Sequence, residues 1–552
     1  MKKRNEQTRL YERAQALFLE FKNAYAQEWQ RLDACERMYR GEHWYDVPQS
    51  DPNEPRPVTP IIQATVENLA ADLMDREPEA VITPEVGAEA RVAQVVEAVI
   101  ARNHDSAGYT VEYQKLVHDL LVGGYCVQEV GYDGELNNNL GGAFIRQVDT
   151  RAILFDPLCT DIQEGRAVFK ISRRSREWLA MHYPKAAAGM VGDTSGATDA
   201  PQDEILRADT RDCLLLLEYW WREYDAETRT HAVHMALLCG GQVLHDSRTS
   251  KPEGYFEHGL YPFVLTPLYA RKGTCLGFGV VDLFSTTQQY ADKLDQIVLK
   301  NAFMASHNKL LVTEAAGFDT DDLKDWSREV HRGESLSGIT WFTTPPLPAY
   351  LLAYIKEMRE SIKNESGASE ASRGVYSANV TAASAITALQ EANTKRTRMA
   401  STQLYEGFAK AVRLEIEVER EFNFFARPIT IVVDGVREET VFDSALLIKE
   451  GYGGALLPIE FYISVKATKQ SRFTAAAQNE LILQLVQIGA LQAGDAVELM
   501  HFDGKELVLK KIREQMNAGQ ELPLPEEGNR RSRQGGAAPA TTKRRFGGRN
   551  VV

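Results

Sequence analysis

The sequence predicts an α+β protein in which long helices flank a block of strands, and three observations carry that expectation. Residues 8–40 contain neither Pro nor Gly and set Leu10, Ala14, Leu17, Phe21, Tyr25, Leu32, Cys35 and Met38 mostly at helical spacing, one stripe of an amphipathic helix. At Gly123-Gly124 the period shortens, and as far as residue 270 short apolar runs between Gly, Asn and Asp turns read as strands. Beyond that block, residues 280–305 and a segment from Ala385 to about Phe425 return to helical spacing around a compact insert.

The elements follow in order. The first helix ends at Tyr39-Arg40-Gly41, where Gly supplies the terminating conformation. Pro48 to Pro60 reads as an extended connector, because each Pro biases its predecessor away from the helical region. Residues 61–74, 86–104 and 109–121 read as helices. Strands are expected at 125–132, 143–148, 153–156, 167–171, 214–224, 231–238 and 242–245, with 189–201, rich in Gly, Ser, Thr and Asp, as a loop. The insert 307–346 reads as a strand at 309–313, a short helix at 321–329 and a strand at 338–342, before Pro345-Pro346. Residues 350–363 are helical again, and the small, polar stretch 366–384 is a loop long enough to carry a role. The helix from Ala385 places Leu404, Phe408, Ala411, Leu414, Val418, Phe422 and Phe425 on one stripe and is expected to be the longest in the chain, stopped by Pro428. At about 1.5 Å per residue it would run roughly 60 Å. Strands at 429–433 and 459–465, helices at 473–488 and 498–517 and a disordered tail after Pro523 complete the expectation.

Composition narrows the function. The 552 residues amount to about three or four packing units. With 44% apolar and 25% charged residues, bulk disorder is excluded. The net charge is −14, and residues 528–552 hold seven cations (Arg530, Arg531, Arg533, Lys543, Arg544, Arg545 and Arg549) with no acid, which leaves −21 on residues 1–527. So acidic a body is no generic DNA-coating protein, whose affinity comes from neutralising phosphates. The basic tail fits nucleic acid, a membrane surface, an acidic partner or a merely solubilising end. The six cysteines form no CxxC, which points to free thiols in a reducing compartment. The charged start Met1-Lys2-Lys3-Arg4 is unlike a signal peptide, and no apolar run is long enough for a membrane span.

Catalytic signatures are missing. The sequence holds no GxxxxGK[ST], HExxH or GxSxG; Gly504-Lys505 stands alone and Gly277-Phe278-Gly279 lacks the third glycine of a dinucleotide fingerprint. His231 and His234 lie three apart on an expected strand, which puts their rings on opposite faces and makes a shared metal geometrically poor. Asp319-Thr320-Asp321-Asp322 lacks the glycine and distal glutamate of a calcium loop and reads as a solvated helix start. The long helices, with Asp292, Asp295, Asn301, Glu357 and Glu360 interrupting their stripes, fit either the core of a monomer or a subunit that packs against copies of itself.

Four stretches, in their order and spacing, resemble the portal proteins of tailed bacteriophages over about residues 30–515. They are Tyr39-Arg40-Gly41-Glu42-His43-Trp44; the run from Asp119 through Gly123-Gly124 to Val130; Tyr261-Pro262-Phe263 with Pro267, then Gly277-Phe278-Gly279 leading into a helix with Gln288 and Gln289; and Glu365-Ser366-Gly367-Ala368 followed by Ala382-Ala383-Ser384-Ala385-Ile386.

The resemblance implies a portal fold, with a mixed α/β wing, a two-helix stem, a small α/β clip, a long spine helix and a helical crown, assembled as a ring. By position, residues 1–279 would be N-terminal helices and wing, 280–306 the first stem helix, 307–346 the clip and 347–365 the second stem helix. Residues 366–384 would be the tunnel loop, 385–470 the spine helix and wing return, 471–520 the crown and 521–552 a disordered basic tail. It implies a ring of twelve at one capsid vertex of the virion, assembled in the host cytoplasm, through which double-stranded DNA is packaged and ejected. No catalysis, cofactor, metal or membrane is implied. Ser369, Ser372, Arg373, Tyr376 and Asn379 of the tunnel loop would line the DNA channel, with Arg373 either beside the DNA or paired with an acid. Asp321, Asp322, Lys324, Asp325, Trp326, Arg328 and Arg332 of the clip would dock the terminase large subunit and then the tail adaptor. Capsid and scaffolding proteins would be further partners. Two other readings stay open: a virion adaptor or scaffold that conducts no DNA, and a nucleic-acid enzyme of the packaging machine.

Overall fold

The computed structural model describes residues 2–187, 213–366 and 395–467, apart from positions 50, 53, 86–88, 226–229, 307–308, 320, 322, 324–329, 343–344, 424, 434–435 and 451–455, together with isolated positions between 479 and 500. The chain divides into two units, Met1–Lys469 and Gln470–Val552. The second is described only at those isolated positions, of which Asn479, Ile482-Leu483 and Val486-Gln487 are helical within the expected span 473–488. The rest of the expected crown and the basic tail lie outside the described residues.

The N-terminal helices form where the apolar period requires them. Helix α1 (Lys2–Tyr39) buries Leu10, Ala14, Phe21, Tyr25, Leu32, Cys35 and Met38, the expected stripe with only Leu17 less covered. Helix α2 (Ile61–Met74) has the expected bounds. Next comes a strand that sequence reasoning missed, β1 (Glu79–Pro84), so helix α3 (Ala90–Ala107) starts later than expected. The strand was illegible because its partner is far away: β1 pairs antiparallel with β18 (Phe461–Lys466), Glu79 opposite Lys466 and Pro84 opposite Phe461. Helix α4 (Tyr109–Val122) then leads through Gly123 into the sheets.

The sheets are antiparallel. β2 (Tyr125–Asp133) lies between β3 (Gly142–Val148) and β9 (Phe263–Pro267). A five-stranded meander joins β4 (Ile153–Phe155), β5 (Ala167–Ser175), β6 (Cys213–Asp225), β7 (Thr230–Cys239) and β8 (Gln242–Asp246) in chain order. Lys170 of β5 ties the sheets together, 2.8 Å from Glu129 of β2 and 3.2 Å from Glu218 of β6. On β7, His231 is exposed and His234 buried, the opposite-face arrangement expected from their spacing.

The hairpin β10 (Tyr269–Ala270) and β11 (Gly277–Phe278) leads into helix α6 (Val280–Ser306); helix α5 (Arg176–His182) lies earlier, after β5. The insert after α6 is a two-stranded sheet, β12 (Lys309–Val312) with β13 (Ile339–Phe342), and helix α7 (Tyr350–Ser366) returns from it to pack on α6 and α2.

Helix α8 (Lys395–Phe422) lies on β2, β3 and β9 and buries Leu404, Phe408, Ala411, Leu414 and Val418 as expected. Residues 385–394 lie outside the described residues, and among the described helices α1, at 38 residues, is longer than α8 at 28. Pro428 does not stop this helix. The chain leaves it at Phe422 because Arg427 folds back, bonding the Glu419 carboxylate and the Gly141 carbonyl, the latter at 2.7 Å. Phe425 is exposed beyond the helix end. Pro428 sits instead in β14 (Arg427–Val433), opposite Val441 of β15 (Val436–Phe442); a two-stranded sheet tolerates the missing N–H. Strand β15 and the short pair β16 (Ile448–Glu450) and β17 (Leu456–Pro458) were not expected from the sequence.

Candidate assembly surface and conduit segments

Two glycine segments that are distant in sequence meet where α6 begins. Gly124 has φ +88, and a Cβ there would fall 2.2 Å from the Phe278 carbonyl carbon; a Cβ on Gly279 would fall 2.7 Å from the Leu121 carbonyl oxygen. Only backbone fits on either side, so Gly277-Phe278-Gly279 is a packing motif. The Gly279 N–H donates to Asp282 Oδ2 at 2.8 Å, closing the first turn of α6. Arg31 of α1 reaches the same carboxylate at 2.5 Å, the Gly123 carbonyl at 2.7 Å and Glu28 at 2.6 Å, and Arg271 approaches Glu28 at 2.8 Å. Burial, and then the neighbouring Asp282 charge, push the Cys35 thiol beside this network up to about 12.

Further along α6, two more acids each meet a basic side chain from a different element. Asp292 is buried 2.5 Å from His43 Nδ1, and His43 Nε2 faces the Met38 carbonyl at 3.0 Å. Gln288 Nε2 and the Thr59 N–H donate to the other Asp292 oxygen at 3.0 and 3.3 Å. Asp295 pairs with Arg359 of α7. The connector is laid along α6 by Gln288 donating to the Thr59 carbonyl at 2.7 Å and Gln296 to the Pro55 carbonyl at 3.0 Å. Asp292 and Asp295, which interrupt the apolar stripe, are therefore docking points. The Gln288 and His43 of the resembling stretches were the signal available in the sequence.

The other side of α6 has no cover among the described residues. Leu283, Tyr290, Ile297 and Met304, spaced seven apart, are 46%, 58%, 47% and 44% exposed. Phe303 beside them is exposed too, as are Tyr350, Leu352 and Tyr354 on α7 and Leu311, Leu336 and Trp341 in the insert. Apolar residues in this density on adjacent elements mark an interaction surface.

The expected site residues fare unevenly. Ser369, Ser372, Arg373, Tyr376 and Asn379 lie outside the described residues, as do Asp322, Lys324, Asp325, Trp326 and Arg328. Asp321 and Arg332 are described and exposed on the insert, and the Asp321 N–H donates to Asp319 Oδ1 at 3.0 Å. Among the described residues no group of three or more His, Cys, Asp or Glu is placed to hold a metal ion, and no helix is long and apolar enough to cross a membrane.

A model of the phage P22-like portal protein family matches residues 17–543. The chain belongs to that family. No individual curated protein matches it significantly. Portal-family proteins are structural channels without enzymatic activity, the DNA-translocating connectors at a vertex of the virion capsid, so the packaging-enzyme reading falls away. An oligomeric ring and DNA are the partners that membership implies. The described architecture, mixed α and β with two adjacent helices carrying a small insert, is consistent with the family.

Proposed function

We propose that twelve copies of this portal-family chain form a closed ring in which 280–306 and 347–365 are the stem, 307–346 the clip, 366–384 the tunnel loop and 471–520 the crown. The observation that carries the reading is the apolar stripe Leu283, Tyr290, Ile297 and Met304 on α6, which no described residue covers. A ring needs a head-to-tail contact that closes on itself, and a stripe anchored from behind by Asp282, Asp292 and Asp295 is rigid enough to set its angle. The clip docks the terminase large subunit during packaging and the tail adaptor afterwards, with Asp321 and Arg332 among its exposed charges, and capsid and scaffolding proteins surround the ring. Ser369, Ser372, Arg373, Tyr376 and Asn379 line the passage. The net charge of −21 on residues 1–527 favours sliding over gripping, since a wall that neutralised Z phosphates would hold DNA with a salt slope of about −0.9Z.

Image averages of the purified protein test this directly. A twelve-fold ring with an opening wide enough for duplex DNA is expected. A persistent monomer at micromolar concentration, or particles without rotational symmetry, would overturn it.

A further inference from the structure

Two cysteines that are far apart in sequence come together at the hairpin that leads into α6. Cys159 follows β4 in the loop to β5, and Cys275 lies in the hairpin between β10 and β11. Both are free and buried. The Cys275 N–H donates to the Cys159 carbonyl at 3.1 Å, and each thiol is the first influence on the titration of the other.

Each loop is held in place from its own side. The Cys159 N–H donates to the Asp156 carbonyl at 3.1 Å, and Asp156 is clamped by Arg166 at 2.6 Å. In the hairpin the Arg271 N–H donates to the Leu276 carbonyl at 3.2 Å, and the Arg271 guanidinium is held by Glu28. The two cysteines are therefore held side by side through fixed backbone.

We propose that Cys159 and Cys275 are a built disulfide site, closed when the chain meets a small peroxide, which then ties the five-stranded sheet covalently to the hairpin that feeds α6. The neighbouring Cys275 thiol holds Cys159 below its ordinary range and is itself pushed up by Cys159, whereas burial pushes Cys35, Cys126 and Cys239 up. Cys159 is accordingly the attacking group, because the thiolate is the nucleophile.

The chemistry balances with hydrogen peroxide alone. The Cys159 thiolate attacks one peroxide oxygen; an S–O bond forms, the O–O bond breaks, and the departing hydroxide takes up the proton the thiol released, giving water. The Cys275 sulfur then attacks the sulfenic sulfur; the S–S bond forms, the S–O bond breaks, and hydroxide leaves with the Cys275 proton as a second water. Two thiols are oxidised and one peroxide is reduced to two waters.

The test uses the full chain in its assembled state. After brief hydrogen peroxide treatment, free thiols counted in denaturant should fall by two from the six of the reduced chain. Mapping without reductant should show the peptides of Cys159 and Cys275 joined, within a band that still migrates as one chain, and dithiothreitol should restore the count. In Cys275→Ser, the sulfenic acid on Cys159 should persist and be trapped by dimedone, whereas the wild type should give no adduct. A Cys159 that stays a thiol, passes to sulfinic acid in the wild type, or links to another cysteine or another chain would overturn the proposal.

Discussion

At the scale of single residues, the informative groups are the ionisable ones that packing has enclosed. Burial is the main influence that pushes the Asp119 carboxyl up from 3.8 to about 7, while Gln147 Nε2, 2.6 Å away, opposes it by stabilising the anion. A carboxyl whose folded value is raised adds stability below its unfolded value, and that stability is lost as pH rises through the folded value. Asp119 thus supports the fold below about pH 4 and ceases to by about pH 8. Asp119→Asn keeps an acceptor for Gln147 and carries no charge. Because Asp119 retains some contact with solvent, a gain of about 2 °C in Tm is expected at pH 8 and none at pH 4. A thermal scan giving equal shifts at both pH values would refute this.

His43 and Asp292 make a second residue-scale case. Removing one member of a buried hydrogen-bonded pair leaves the other's polar atoms without that partner and costs about 1–3 kcal/mol, whereas replacing both with apolar groups of similar shape can be nearly neutral. His43→Ala should therefore destabilise more than the double replacement His43→Leu with Asp292→Leu, as read by denaturant unfolding of the two proteins. The sequence marks His43, in one of the stretches that carry the resemblance, but not its pairing with Asp292. Asp292 registers there only as a polar break in an apolar period, because the residue that explains it belongs to a different element.

At the scale of elements, legibility followed the range of the contacts. The helical stripes of α1, α2 and α4 and the meander from β4 to β8 could be read because their period and turns are local. Strand β1 was missed because what makes Glu79–Pro84 a strand is β18, near the other end of the same unit. The end of α8 was misplaced because Arg427, through its long-range bonds, turns the chain before Pro428 can act. Helix α6 carries both kinds of information. Its buried side, Val280, Phe284, Gln288, Ala291 and Asp292, follows the period of a helix lying on a core. Its exposed side repeats every seven residues, the spacing that keeps one seam of a helix against a partner helix. Ile297→Glu sits on that seam, clear of the docking acids. It should leave the Tm of the single chain within about 1 °C, as exposed substitutions do, and abolish assembly by mass photometry. Rings from this variant at wild-type yield would remove the seam from the interface.

At the scale of the whole molecule, charge is arranged in two blocks of opposite sign. The family places the chain where DNA passes, and a passage must not hold what it conducts. The −21 of residues 1–527 meets that need, while the seven cations of 528–552 work against it, and the two effects separate experimentally because those cations lie in one contiguous segment. The tail has only Phe546, Val551 and Val552 as large apolar residues, too few to bury a useful interface, so removing residues 528–552 should leave assembly unchanged. DNA binding should change instead. With at most seven neutralised phosphates per tail, the full-length subunit should show a log K against log salt slope no steeper than about −6, and the truncated one close to none. Titration of duplex DNA against both proteins at low and moderate salt measures this. If the truncated protein kept the full-length affinity and slope, the body itself would carry a DNA-gripping face, and its acidity could not be what lets the polymer pass.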